Sequence, residues 1–218
     1  MKIFLDTANI EEILKYSFII DGVTTNPTLL AFEKTGSDIH DHITRITKIV
    51  NGPISVEAIS QTAPELIHEA KELASFSENV VVKIPMTEEG IKATKKLSDE
   101  GINTNVTLIF SANQAYLAAK AGATYASIFI GRLDDIGHDG ILVVKDTVEI
   151  FRQHNLKTQV ITASVRHPIH VINAAKAGSH VITIPPKVLS LMFKHNLTDL
   201  GLKRFLDDWA QITNKTGT

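Results

Sequence analysis

Short β-branched runs alternate with longer stretches of helical period along the whole of this 218-residue chain, and that alternation restricts its fold more than any other feature. A strand and its parallel neighbour need a crossover of a dozen or more residues between them, normally a helix, and this spacing supplies one each time. The runs are Lys2 to Asp6, Gly22 to Thr25, Ile54 to Ala58, Val80 to Ile84, Ile102 to Leu108, Tyr125 to Ile130, Thr158 to Ala163 and His180 to Ile184. Eight of them suffice to close a sheet on itself. The expected architecture is therefore α/β, a single (β/α)8 TIM barrel over residues 1–218. A further amphipathic helix follows at 197–213, where Leu200, Phe205, Leu206 and Trp209 form the apolar side; it caps the barrel or docks on a neighbouring subunit.

The intervening segments carry their own punctuation. Leu66, Ala70, Leu73 and Ala74 recur at helical spacing behind Thr62-Ala-Pro-Glu65, a capping-box pattern with proline in the first turn. Ser111-Ala-Asn-Gln114 opens another helix similarly, and Ile141, Val144, Val148 and Phe151 make a third apolar stripe. Gly101, Gly122 and Gly178 each stand where a helix must stop before the next strand, and Lys120-Ala-Gly-Ala123 is echoed by Lys176-Ala-Gly-Ser179.

An apolar content of 44% is enough for one large core. Lys and Arg total 22 against 24 Asp and Glu, so no electrostatic surplus favours nucleic acid or an anionic membrane as partner. Small molecules are the expected ligands. The absence of cysteine removes disulfides, thiolate metal sites and cysteine nucleophiles together. The opening Lys2-Ile-Phe-Leu-Asp6 has no basic region before an apolar signal core, and no run reaches the length of a membrane span, so a cytoplasmic location is expected. Neither a Walker loop nor GxGxxG is present, which leaves nucleotide binding without support. His167 and His170, three apart, and His40-Asp-His42 raise the question of a metal. Neither pair follows a strand with a suitable carboxylate, so they read as surface or capping histidines, with no metal expected.

Polar side chains fall late in the strand runs, and the carboxyl-end rim is where such a barrel gathers its reactive groups. Asp6 ends the first, Asn26 follows the second, Glu57 ends the third, and Lys83 interrupts the fourth. Asn105 and Thr107 lie on the fifth, Ser127 and Phe129 on the sixth with Arg132 after it, and Ser164 and Arg166 follow the seventh. Because strand side chains alternate faces, each of these pairs two apart shares a face.

Lys83 is the sharpest of these signals, a lone cation in Val80-Val-Val-Lys-Ile-Pro85 that is otherwise apolar on both faces. Two readings are open. It snorkels or pairs with a carboxylate near the strand end, or desolvation frees its amine to attack a ketone. Asp6 and Glu57 are carboxylates fit for proton transfer, though Asp6 also suits capping a helix that begins near Ala8. Asn26 before Pro27 is more often a turn former than a ligand contact, and Arg132 and Arg166 suit bidentate phosphate binding or plain surface pairing.

Taken together, the segments resemble the transaldolase family, in its short fructose-6-phosphate aldolase-like subtype. The resemblance runs from Phe4-Leu-Asp-Thr-Ala8 through Gly22-Val-Thr-Thr-Asn-Pro-Thr28, Val56-Glu57, Val82-Lys-Ile-Pro-Met86, Asn103-Thr-Asn-Val-Thr107, Gly131-Arg-Leu-Asp-Asp135 and Ala163-Ser-Val-Arg166 to Asp207-Asp-Trp209. It implies a transferase that moves a dihydroxyacetone unit between sugar phosphates. In it Lys83 forms an imine with the ketose carbonyl, Asp6 takes the hydroxyl proton, and Glu57 acts through a water beside Thr107. Asn26, Asn105 and Ser127 then hold the dihydroxyacetone portion, with Phe129 at the wall, and Arg132, Ser164 and Arg166 receive the phosphate. No cofactor is implied, and a homo-oligomer, pentamer or decamer, is.

The sequence departs from the family at Ile128, where proline is frequent, and at His167, where asparagine is common; both are expected to touch loop packing or acceptor preference. The nearest alternative is the aldolase of the same family, which releases free dihydroxyacetone. That enzyme typically has glutamine at the position of Glu57 and tyrosine at that of Phe129. A non-catalytic phosphate-binding barrel is the alternative from another class, and intact Asp6, Glu57 and Lys83 speak against it.

Overall fold

The computed structural model describes residues 1–32 and 39–216 of the chain. In order, the elements are β1 (Lys2–Asp6), α1 (Ile10–Tyr16), β2 (Gly22–Thr24), α2 (Pro27–Phe32), α3 (Ile39–Ile49), β3 (Ile54–Glu57), α4 (Ala63–Ala74) and β4 (Val80–Pro85). They continue with α5 (Glu88–Asp99), β5 (Thr104–Ile109), α6 (Ala112–Lys120), β6 (Tyr125–Phe129), α7 (Ile130–Asp134), α8 (Gly140–Gln153), β7 (Gln159–Ala163), α9 (Pro168–Lys176), β8 (Val181–Ile184), α10 (Pro186–Met192) and α11 (Asn196–Thr216). All neighbouring strands pair parallel, and β8 returns to β1 to close the barrel.

The eight runs expected from the sequence are the eight strands, with ends displaced by one or two residues. The largest displacement is at β5. There Ile102 donates its N–H to Leu97 O at 2.9 Å and so completes the end of α5 instead of entering the sheet. Gly101, Gly122 and Gly178 all have φ near +80°, and each begins the same paired closure of a helix end: Gly122 bonds back to Ala119 and Ala123 to Ala118, as Gly178 does to Ala175 and Ser179 to Ala174. Helix starts also follow the sequence. Ser111 accepts from the Gln114 N–H, and the Glu65 carboxylate accepts from both N–H and Oγ1 of Thr62.

Outward strand residues such as Leu5, Val23, Val56, Val82, Ile84, Val106, Ile128, Val160 and Ile182 are fully buried beneath the ring of helices. The inward positions behave differently, in two layers. At the amino end Phe4, Val81, Tyr125, Ile161 and Val181 form an apolar plug, with Phe4 edge-on to Tyr125 at 6.0 Å between ring centroids. Gly22 makes room for the plug, since a Cβ there would lie 2.7 Å from the Phe4 ring. Toward the carboxyl end the interior turns polar with Thr24, Ser55, Lys83, Asn105, Thr107, Ser127 and Thr183, all buried. Leaving one such group unpaired costs about 1–3 kcal/mol, so this layer is retained at the expense of stability unless its members bond one another.

The tail helix α11 extends slightly beyond the expected 197–213. Its apolar residues do not cap the barrel: Leu197, Leu200, Phe205 and Leu206 remain 60–71% exposed. Among the described residues no helix is long and apolar enough to cross a membrane.

Candidate active site

Strand pairing decides which polar residues meet. The register sets Glu57 opposite Lys83 and Lys83 opposite Asn105, while Asp6 faces Thr24. Lys83 Nζ donates to Glu57 Oε2 at 2.8 Å and to Thr25 O at 2.8 Å, with its side chain 7% and that of Glu57 17% exposed. The ion-paired reading of Lys83 thus holds in the resting site. It does not exclude the nucleophilic one, because the carboxylate that pairs with the ammonium is also placed to accept its proton.

Asp6 does not cap a helix. That part is taken by Asn9, whose Oδ1 accepts from the Glu12 N–H at 2.9 Å at the start of α1. Asp6 instead accepts from Thr24 Oγ1 at 2.7 Å, and Thr24 Oγ1 lies 2.6 Å from Thr183 Oγ1. A hydroxyl has one proton, so when Thr24 donates to Asp6 it must accept from Thr183. Burial pushes the Asp6 carboxyl above the usual carboxylate range. The Thr24 bond and the Lys83 ammonium pull it back, and Glu57 adds to the rise.

Deeper in the barrel, Ser127 Oγ donates to Asn105 Oδ1 at 2.7 Å, and Asn105 Nδ2 donates to Ser55 Oγ at 3.1 Å. Asn105 is fully buried, held rigid beneath the cavity floor. Thr107 Oγ1 is also buried and has no hydrogen-bond partner among the described residues. Asn26 Oδ1 accepts from the Leu29 N–H at 2.9 Å at the head of α2, and the residue also lines the cavity.

One cavity of about 240 Å³ opens at the carboxyl end of the barrel. Asp6, Asn26, Lys83, Thr107, Ser127, Phe129, Arg132, Ser164 and Arg166 line it, so nine of the eleven residues singled out from sequence reach its wall. The other two stand directly behind, Glu57 through Lys83 and Asn105 through Ser127. At the mouth the Arg132 guanidinium lies 5.5 Å from the Phe129 ring centroid, and Phe129 packs against Phe110. Arg166 Nη2 donates to Asp135 Oδ2 at 2.8 Å in an exposed pair.

Several participants escape the sequence reading. Thr24 and Thr183 order Asp6, and Ser55 anchors Asn105; Thr24 and Ser55 carry a signal in standing two residues before Asn26 and Glu57, whereas Thr183 lies on a strand with no chosen residue. The histidines need correction. His42 and His170 are not surface residues: both are buried, His42 bonding to Ala8 O at 2.7 Å and His170 joining Asp134 to the backbone of Arg166. Apolar neighbours on α3 and α9 carry them inward. His167 does sit at the N-cap position of α9, though without a side-chain capping bond.

Buried lysine, paired carboxylates and an arginine-bearing mouth suit covalent chemistry on a phosphorylated carbonyl compound, and similarity to known proteins points the same way. A solved thiamine phosphate pyrophosphorylase from Pyrococcus furiosus superposes with a TM-score of 0.59 at 15% identity over 84% of this chain and 85% of that one, a likeness of fold alone. The family model described as transaldolase/fructose-6-phosphate aldolase matches residues 3–216. A probable transaldolase of Moorella thermoacetica is 57% identical over 217 residues, covering 99% of this chain and all of the relative. One of Caldicellulosiruptor saccharolyticus is 59% identical over 218 residues, with 99% and 100% covered, and one of Methanococcus vannielii 57% identical over 211, with 96% and 97% covered. With a match that spans nearly its whole length, this chain belongs to the transaldolase/fructose-6-phosphate aldolase family.

Proposed function

We propose that the chain is a transaldolase that carries a dihydroxyacetone unit from a ketose phosphate (sedoheptulose 7-phosphate or fructose 6-phosphate) to an aldose phosphate (glyceraldehyde 3-phosphate or erythrose 4-phosphate) through a Schiff base on Lys83. The observation that carries the reading is a buried lysine amine at a cavity wall, bonded to one carboxylate and within the field of another. Glu57 takes a proton from the Lys83 ammonium, and the free amine attacks the ketose carbonyl. Loss of water from the carbinolamine, with Glu57 and Thr107 handling that water, gives the protonated imine. Asp6 then removes the proton of the neighbouring hydroxyl, the carbon–carbon bond breaks, and its electron pair enters the iminium to leave an enamine on Lys83. An incoming aldehyde is attacked by that enamine as Asp6 returns the proton. Water finally hydrolyses the imine. Asn26 and Ser127 hold the hydroxyls of the transferred unit, with Asn105 orienting Ser127 from behind, and the scheme calls for no metal or organic cofactor.

Arg132, Ser164 and Arg166 receive the phosphate in this reading. Arg166→Ala is expected to lower kcat/KM for fructose 6-phosphate by about 2 to 4 kcal/mol, roughly 30- to 900-fold, because a charge-assisted bond is lost and a phosphate oxygen is left unpaired. Fructose as donor is expected to be nearly indifferent. Equal losses with both donors in steady-state assays would remove the basis for the phosphate site.

Glu57 and Phe129 support transfer over release of free dihydroxyacetone, since a phenyl ring at the wall offers no hydroxyl to activate a hydrolytic water. With fructose 6-phosphate and saturating erythrose 4-phosphate, the products are expected to be sedoheptulose 7-phosphate and glyceraldehyde 3-phosphate. Phe129→Tyr is expected to raise the share of free dihydroxyacetone, and adding Glu57→Gln to raise it further. If the parent releases dihydroxyacetone as its main product even at saturating acceptor, the aldolase reading replaces this one.

The uncovered apolar side of α11 fits a homo-oligomer, a ring of five or a pair of such rings, in which the tail docks on a neighbouring subunit. A cytoplasmic setting accords with the cysteine-free composition.

A further inference from the structure

α9 begins just beyond the Ser164–Arg166 loop, and its first turn carries a buried titratable side chain that the chemistry above leaves unused. His170 is 8% exposed. Its Nδ1 accepts from the Arg166 backbone N–H at 3.2 Å, and its Nε2 lies 2.9 Å from Asp134 Oδ2 on α7. A backbone N–H is a donor only. Nδ1 must therefore present its lone pair, and the ring proton must sit on Nε2, where it is donated to Asp134. The other Asp134 oxygen accepts from the Gly140 N–H at 2.9 Å at the head of α8, so the carboxylate is held from both sides. Asp134 stands two residues after Arg132 on the same short helix. The imidazole is thus a spacer between the two segments that bring arginines to the cavity mouth.

The loop it holds has little slack. Ser164 has φ +60°, a left-handed conformation unfavourable for a residue with a Cβ. Opposite it, Gly131 lets the Ser164 carbonyl pack directly on α7, since a Cβ at 131 would lie 2.0 Å from that oxygen and 2.7 Å from Arg166 Nε. Loop and helix are in backbone contact, and His170 hydrogen-bonds to both, while the exposed Arg166–Asp135 pair joins them directly at the surface.

We propose that His170 is a positioning residue for phosphate recognition: as the neutral Nε2–H imidazole it ties the Ser164–Arg166 loop to the Arg132 helix, and protonation at Nδ1 releases the loop and weakens binding of a phosphate monoester. The proposal rests on the phosphate subsite assigned above. Asp134 on α7 favours the charged ring. The Arg166 guanidinium, and the His167 ring 3.9 Å away at the start of α9, disfavour it. Burial is the largest influence, and the balance keeps His170 below the ordinary histidine range. The tie is accordingly intact at neutral pH and fails only on the acid side.

Single-turnover cleavage of fructose 6-phosphate and of fructose, followed over about pH 5 to 8 where histidine charge changes, tests this in the full-length protein. His170→Ala is expected to raise the half-saturating concentration of fructose 6-phosphate about tenfold, the worth of one hydrogen bond, with the limiting rate and the fructose reaction little changed. His170→Asn offers Oδ1 in place of Nδ1 as a non-titrating acceptor. It is expected to restore most of the affinity and to lack the acid-side weakening that the parent shows beyond that of the phosphate itself. The proposal is overturned if His170→Ala harms both donors alike, or if His170→Asn neither restores affinity nor flattens the profile. Should thermal melting show His170→Ala unfolded, the pH profile of His170→Asn alone decides. Arg166→Ala run alongside separates the two levels of inference. If it too treats both donors alike, the phosphate subsite is wrong and this proposal falls with it; if it discriminates while the His170 variants do not, only the role of His170 is lost.

Discussion

Lys83→Met is expected to fold and to lose both activity and covalent capture of substrate. Borohydride reduction in the presence of fructose 6-phosphate should attach a three-carbon adduct to the parent at residue 83 and nothing to the variant, read by mass spectrometry of the intact chain and its peptides. Removing a nucleophile costs on the order of 10⁴-fold or more in turnover, since the residual rate comes from binding and polarisation alone. Stability should suffer little or even gain. Lys83 is a buried charge whose partner Glu57 stays 17% exposed at its side chain, so methionine removes the cost of burying an ammonium and leaves the carboxylate in reach of water. If the variant is trapped at the parent's yield, another lysine is the nucleophile and the assignment fails.

Asp6→Asn is expected to lower the limiting rate by about 10²- to 10⁴-fold, the range general base catalysis supplies, while leaving imine formation, and hence borohydride trapping of the donor, largely intact. The asymmetry between trapping and turnover is the diagnostic result. Loss of both together would move Asp6 from carbon–carbon cleavage to imine formation. The direction of its titration adds a second test. Asp6 must be ionised to accept the hydroxyl proton, and burial holds its carboxyl above the usual range, so the acid limb of the parent's kcat profile is expected above that of an ordinary carboxylate. For folding the sign is opposite. A carboxyl raised in the native state stabilises the fold below its unfolded titration, and that contribution is lost as pH rises through the native one. At neutral pH the ionised, buried Asp6 is therefore a burden, and Asp6→Asn, whose Oδ1 still accepts from Thr24, should melt higher than the parent, by a margin that shrinks on acidification. Equal melting temperatures across that range would show that the raised titration does not exist.

Local patterns carried most of the fold. The strands show themselves as β-branched and apolar runs, and three of them, β5, β6 and β8, follow glycine stops at Gly101, Gly122 and Gly178, where helix closure depends on the few residues beside each glycine. Lys83 and Asp6 were visible for a related reason: a charge in an apolar strand is costly and conspicuous. What local pattern cannot carry is register. That Glu57 meets Lys83 and Asp6 meets Thr24 depends on how strands far apart in sequence align, and threonines at 24 and 183 look like any strand threonines until a carboxylate is seen beside them. The short α7 was hidden in the same way, since Ile130 extends the apolar run of β6 and only the closed barrel turns it into a helix. Spacing from His167 alone makes His170 look like a surface residue; its place beside Val171 and Ala174 on the inner side of α9 turns it inward.

The aromatic plug of Phe4 and Tyr125 at the amino end has a kinetic corollary. The plug closes the amino end of the barrel, so in the proposed reaction the aldehyde released by cleavage leaves through the same carboxyl-end mouth that its replacement enters. The two aldoses therefore queue. On that scheme the proposed enamine on Lys83 outlives an interval in which the mouth stands open to water, and the success of transfer is decided by what guards the carbon during that interval more than by how quickly the first bond breaks.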